Sequence, residues 1–118
     1  MIAVIFEVWL ANGRTADYLE HAARLRSELG HVEGFISVER FQSLADPDKL
    51  LSVSFWRDEA AVAQWRRHAE HRATQSEGRK GIFRDYRLRI AGVIRDYGMT
   101  QRREQAPEDS RLAHDAVM

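Results

Sequence analysis

The residues of a type and spacing to do chemistry in this chain are a histidine pair, one acid inside an apolar strand, and a set of aromatic side chains. His68 and His71 stand three apart, a separation that puts both on one helix face. Two imidazoles are too few for a closed zinc site, and Glu70 between them points elsewhere on a helix, so no metal site is expected. His21 and His31 lie in or beside another helical stretch and are not recruited. Glu7 interrupts an apolar run, and an acid there must be paired or solvated. A salt bridge to a strand arginine such as Arg40 or Arg87, and a place lining a pocket, are both open to it. Phe6, Trp9, Trp56, Trp65, Phe83 and Tyr86 are core material or, beside a histidine, the walls of a cleft for a flat, mostly apolar ligand.

Other chemistries lack their residues. Asp58 and Glu59 read as a helix start, and Asp46 and Asp48 as turn residues, so no carboxylate pair remains for acid–base work. Glycine-rich phosphate loops, a Gly-x-Ser-x-Gly elbow and a His-Glu-x-x-His pattern are all absent. With no cysteine there is no thiolate nucleophile, disulfide or iron–sulfur site, and the expected setting is the cytoplasm. The 18 basic and 18 acidic side chains balance, which gives no general attraction for nucleic acid and no self-repulsion against association. No apolar window is long enough to span a membrane.

The elements that must position these residues follow from periodicity. Ile2 to Leu10 alternates, with Ile2, Val4, Phe6, Val8 and Leu10 on one face and Ala3, Ile5, Glu7 and Trp9 on the other, as a central strand does. A helix is expected from Thr15, as N-cap, to Leu29, with Tyr18, Ala22, Leu25 and Leu29 as its inner stripe and Gly30 ending it. Phe35–Phe41 and Lys49–Trp56 form an antiparallel hairpin around the Ala45–Asp48 turn. Asp58 caps a second helix, with a break allowed near His68. Phe83–Asp96 makes a last strand, where Gly92 suggests a bulge. The order is βαββαβ: one four-stranded antiparallel sheet with both helices on one face, an α+β fold in a single domain over residues 1–98. Residues 99–118 read as a loose tail or an arm bracing a partner. Large apolar groups on both sheet faces, with helix enough for one, call for a second copy of the chain as cover.

Several stretches carry a family resemblance. The Glu33-Gly34-Phe35 opening, the run Phe55-Trp56-Arg57-Asp58-Glu59-Ala60-Ala61-Val62 through Trp65 to Glu70-His71-Arg72, and the ending Tyr86-Arg87-Leu88-Arg89-Ile90 with Arg95-Asp96-Tyr97-Gly98 resemble the antibiotic biosynthesis monooxygenase-like family over roughly residues 2–98. The resemblance implies a ferredoxin-like subunit, a homodimer forming a dimeric α/β barrel, and a pocket between helices and sheet for a small aromatic molecule. It implies cofactor-independent monooxygenation of a phenol, anthrone or quinol. His71 is then the expected base or proton shuttle, Phe6, Trp65 and Phe83 the pocket walls, and Arg40 a stabiliser of the substrate anion. The haem-degrading branch looks for a first-strand asparagine, a tryptophan on the second long helix and a haem-ligating histidine. Trp65 matches the tryptophan, but Phe6 stands at the first position and Gln75 near the last, so haem is the lesser alternative. A non-catalytic small-ligand-binding or structural dimer is the third.

Overall fold

The computed structural model describes the backbone of residues 1–75 and 81–117 and the side chains of residues 1–69 and 81–113. Strand β1, Ile2–Leu10, is apolar on both faces and accordingly lies inside the sheet. It pairs antiparallel with β3, Lys49–Trp56, on one side and β4, Phe83–Gly92, on the other. β2, Phe35–Gln42, completes the order β2-β3-β1-β4 by pairing with β3. Helix α1, Thr15–Leu29, joins β1 to β2, and α2, Glu59–Gln75, joins β3 to β4. This is the ferredoxin-like α+β arrangement, with both helices over one sheet face.

Local chemistry explains the helix entries. Arg14, not Thr15, occupies the N-cap of α1, and no side chain caps the helix there; Thr15 is already its first helical residue. Asp58 does cap α2, its Oδ1 accepting the Ala61 N–H at 2.9 Å. The Ala61 hydrogen bond and then the Arg57 guanidinium hold the Asp58 carboxyl below its ordinary value against the opposing effect of burial. α2 runs without a break past His68. Between α1 and β2 the chain turns at Gly34, whose φ of +89° belongs to the left-handed region that glycine alone enters freely.

Two strand expectations change. β4 ends at Gly92, after which the Val93 N–H donates to the Met1 carbonyl at 3.0 Å and the chain leaves the sheet. Gly92 pairs regularly with Ile2, and the register irregularity lies instead between Trp9 and Leu10. A second irregularity, between Phe35 and Ser37, lets Phe35 pack on Trp56 with ring centroids 5.3 Å apart. The tail holds a 3₁₀ turn, Arg103–Gln105, and a helix α3, Glu108–Val117, which follows Pro107 and carries Glu108 and Asp109 in its first turn.

The core sits on the helix side in two parts. Val8, Leu10, Tyr18, Leu50 and Ile82 form one, and Leu29, Trp56, Ala61 and Val62 the other. On the opposite face Ile5, Trp9, Leu51, Val53 and Phe55 remain half-buried within the chain. Among the described residues no helix is long and apolar enough to cross a membrane.

Candidate active site

Strand alternation builds the site. Even-numbered residues of β1 and β3, Val38 and Arg40 of β2 and Tyr86, Leu88 and Ile90 of β4 face the helices, joined by Phe83 across the irregularity at Leu10. Between sheet and helices lies a cavity of about 590 Å³ lined by members of both core clusters. Its floor follows the register. Leu88, Phe6, Ser52 and Arg40 stand side by side in one cross-strand row, and Ile90, Val4, Ser54 and Val38 in the next. α1 contributes Tyr18, His21, Ala22 and Leu25; α2 contributes Trp65, Arg66 and Ala69.

Aromatic rings wall the cavity in two groups. Phe6 meets Phe83 at 5.9 Å and Tyr86 at 5.8 Å, and Tyr18 meets Phe83 at 5.8 Å, mostly edge-on. Trp56 and Trp65 form the other group at 6.3 Å, and Trp65 stacks on His68 at 5.4 Å. Such tilted and edge-to-face contacts are the favoured ring geometries and hold the walls in place. Trp56 is 1% exposed, and its Nε1–H donates to Ser54 Oγ at 2.8 Å, so the buried indole is satisfied. His68 is turned away from proton chemistry in the cavity by a 2.8 Å hydrogen bond to Glu28, which ties α2 to α1.

Arg40 is the unusual member. It is half-buried on the cavity floor, and its Nε has neither solvent nor a hydrogen-bond partner among the described residues. A guanidinium with a buried, unmet N–H beside an apolar cavity is the one feature of the described floor that a ligand acceptor or anion would relieve.

Of the residues expected at a pocket, Phe6, Trp65, Phe83 and Arg40 line this cavity together. Glu7 does not. It points to the opposite sheet face, because its odd position in β1 sets it against Leu51 and Arg87, and it borders a shallow depression of about 210 Å³ there. Its partners are Arg89 at 3.2 Å and Lys49 at 3.6 Å, neither of the arginines expected. Burial acts to raise the Glu7 carboxyl, but the Arg89 hydrogen bond and the Lys49 charge together hold it below its ordinary value. The His71 side chain lies outside the described residues. Sequence reasoning passed over His21, Ser52 and Ile82; the α1 stripe, in which His21 stands three residues after Tyr18, was the signal available for His21.

Residues 1–77 match the family model for antibiotic biosynthesis monooxygenase. The chain belongs to that family. A jasmonate monooxygenase from Pyricularia oryzae is 38% identical over 117 residues, covering 99% of this chain and 54% of the relative, so the chain spans about half that relative's length. Among solved structures, the cofactor-independent oxygenase SnoaB of Streptomyces nogalater, as its N63A mutant, superposes with a TM-score of 0.67 at 10% identity, over 80% of this chain and 94% of SnoaB. An R26S mutant of MhuD holding two manganese protoporphyrin IX molecules per active site superposes with a TM-score of 0.69 at 14% identity, over 83% of this chain and 99% of MhuD. At such identities the two structures share the fold of this family member. Phe6, braced by Phe83 and Tyr86, places an apolar ring at the first-strand position of this cavity.

Proposed function

We propose that this family member is a monooxygenase acting with molecular oxygen on a small aromatic phenol, anthrone or quinol, without metal or flavin, as a cytoplasmic homodimer. The observation that carries the reading is the cavity: aromatic on two sides, apolar over most of its floor, with the Arg40 guanidinium, its Nε unmet among the described residues, at one end of it. The name of the jasmonate monooxygenase supports the reaction class.

For an anthrone-type CH₂ group the chemistry balances with the substrate as reductant. His71, the base the resemblance implies, or His21, which lines the cavity from α1, takes a proton, and Arg40 stabilises the resulting enolate oxygen. The enolate gives one electron to O₂, and the radical pair combines to form a C–O bond. The histidine returns its proton to the distal oxygen. Loss of the second C–H proton then breaks the O–O bond, leaving a carbonyl and water. The aromatic walls keep bulk water from the intermediate. Oxygen uptake with a panel of anthrones and quinols tests the reading; no uptake with any of them favours a non-catalytic binding protein.

The open sheet face supports the homodimer. Its centre is apolar, and its single buried-side acid, Glu7, is already paired. One edge, on β2, carries Glu39; the other, on β4, carries Arg87 and Arg89 with Asp85 at its far end. Glu39, Val53, Ile5 and Arg89 lie in one cross-strand row. A two-fold axis parallel to the strands sets each β2 edge over the partner's β4 edge, acid over base, with apolar strips between; an axis across the strands sets like charges together. The tail suits a bracing role, because Ile94, Met99 and Leu112 are exposed along a segment tied to itself by Asp96 N–H to Gln105 Oε1 at 3.1 Å.

A further inference from the structure

We propose that the cavity takes its ligand as a monoanion, an apolar body carrying one carboxylate or phenolate oxyanion that seats on Arg40. The inference rests on reading the cleft as a small-molecule site, and adds the charge and the orientation of what enters it.

Three independent features of the cavity agree. The first is the Arg40 Nε, buried and without a hydrogen-bond partner among the described residues. Leaving a charged donor unmet in low-dielectric surroundings is costly, and a guanidinium presents a planar fork that a planar oxyanion matches with two parallel hydrogen bonds. The second is the sign of the wall. The described lining includes Arg40 and Arg66 but no aspartate or glutamate. On the other face of the same sheet the half-buried acid Glu7 is met by two cations, Arg89 and Lys49.

The third feature is direction. Along one cross-strand row the floor changes from Leu88 and Phe6 to Ser52 and then Arg40. Neighbouring strands lie about 4.8 Å apart, so the row spans roughly 14 Å. That length accommodates a two- or three-ring body lying over β4 and β1, with its oxyanion over β2. The hydroxyl of Ser52 stands next to Arg40 as a second donor. A neutral ligand of the same shape would fill the apolar part and leave the guanidinium unmet. A polyanion would place further charge on Phe6 and Leu88.

Isothermal titration of the full chain with 2-naphthoate, 2-naphthamide and 2-naphthol tests this. At neutral pH we expect 2-naphthoate to bind at least about tenfold more tightly than 2-naphthamide, as a charge-assisted bidentate contact would give. In Arg40→Met the acid and the amide should bind within about twofold of each other. Affinity for 2-naphthol that climbs as the pH is raised toward its ionisation identifies phenolate recognition; naphthol binding that stays flat while the acid is still preferred identifies a carboxylate. Equal binding of acid and amide by the unaltered protein overturns the proposal and leaves the small-molecule site standing. An acid preference that survives in Arg40→Met overturns it too, since the anion then sits elsewhere. If neither acid nor amide binds, the reading of the cleft falls and this inference with it.

Discussion

Gly34 and Ala61 touch so closely that a Cβ placed on Gly34 would stand 2.7 Å from the Cβ of Ala61. The contact lets the start of β2 lie on the first turn of α2, and the Arg57 N–H donates to the Gly34 carbonyl at 2.7 Å across the same junction. Gly34→Ala adds both this clash and an unfavourable positive φ. We expect a loss of about 1–3 kcal/mol, read from the urea unfolding midpoint. Gly30→Ala, at a right-handed position with open space around it, should leave the midpoint unchanged or raise it.

Ser54→Ala removes the acceptor for the buried Trp56 Nε1–H. The unmet indole donor should cost about 1–3 kcal/mol in chemical denaturation. Trp56 is packed between Phe35 and Trp65, so its ring should stay in place and its fluorescence should report a changed polar contact in a folded protein.

The Asp58 cap predicts a pH dependence with a definite sign. Its carboxyl ionises at lower pH in the folded chain than in the unfolded one, because the Ala61 N–H and Arg57 favour the anion. The stabilisation is therefore present above the unfolded carboxylate's pKa and is lost as the pH falls through the folded value. Asp58→Asn should be less stable than the unaltered protein at neutral pH. The gap between their melting temperatures should close as both are acidified.

Charge reversal at the sheet edge tests the dimer geometry. Glu39→Lys should weaken association at least about tenfold in sedimentation equilibrium, with tighter binding restored when Arg89→Glu is added. Because Arg89 also pairs with Glu7, the double variant should carry Glu7→Gln to avoid two facing acids. A monomer at micromolar concentration in the unaltered protein sinks the homodimer altogether.

Oxygen uptake separates the two histidines. If His71 is the base, His71→Ala should lower kcat by about 10²–10⁴-fold with an active anthrone or quinol, while His21→Ala spares it. The reverse result moves the role to α1, where His21 lines the cavity.

Much of this arrangement was legible in the residues. Alternation from Ile2 to Leu10 placed β1 inside the sheet and put Phe6 and Glu7 on opposite faces. The same rule placed Val38 and Arg40 opposite Ser37 and Glu39. Alternation cannot say which face the helices cover, and for that reason Glu7 was left a pocket role that its parity denies it. His21 went unassigned because a helical stripe does not reveal how far the helix stands from the sheet. The irregularity between Phe35 and Ser37 was invisible, as its cause is the packing of Phe35 on Trp56. In the tail no helix was expected, because few large apolar residues give it a period; Pro107 with Glu108 and Asp109 was the start signal that went unread.

The period-two alternation of β1 to β4 also makes ligand choice and self-association separately adjustable. Substitutions at Phe6, Ser52 or Leu88 reshape what the chain can hold, while those at Ile5, Val53 or Arg89 alter how copies meet. On the proposed open-face dimer the two sets lie on opposite sides of the sheet, so ligand choice and association can be altered one at a time. A library randomised at Phe6, Ser52 and Leu88 alone, with the core residues Val8, Leu10, Leu50 and Trp56 kept, would explore new ligands on an unaltered scaffold.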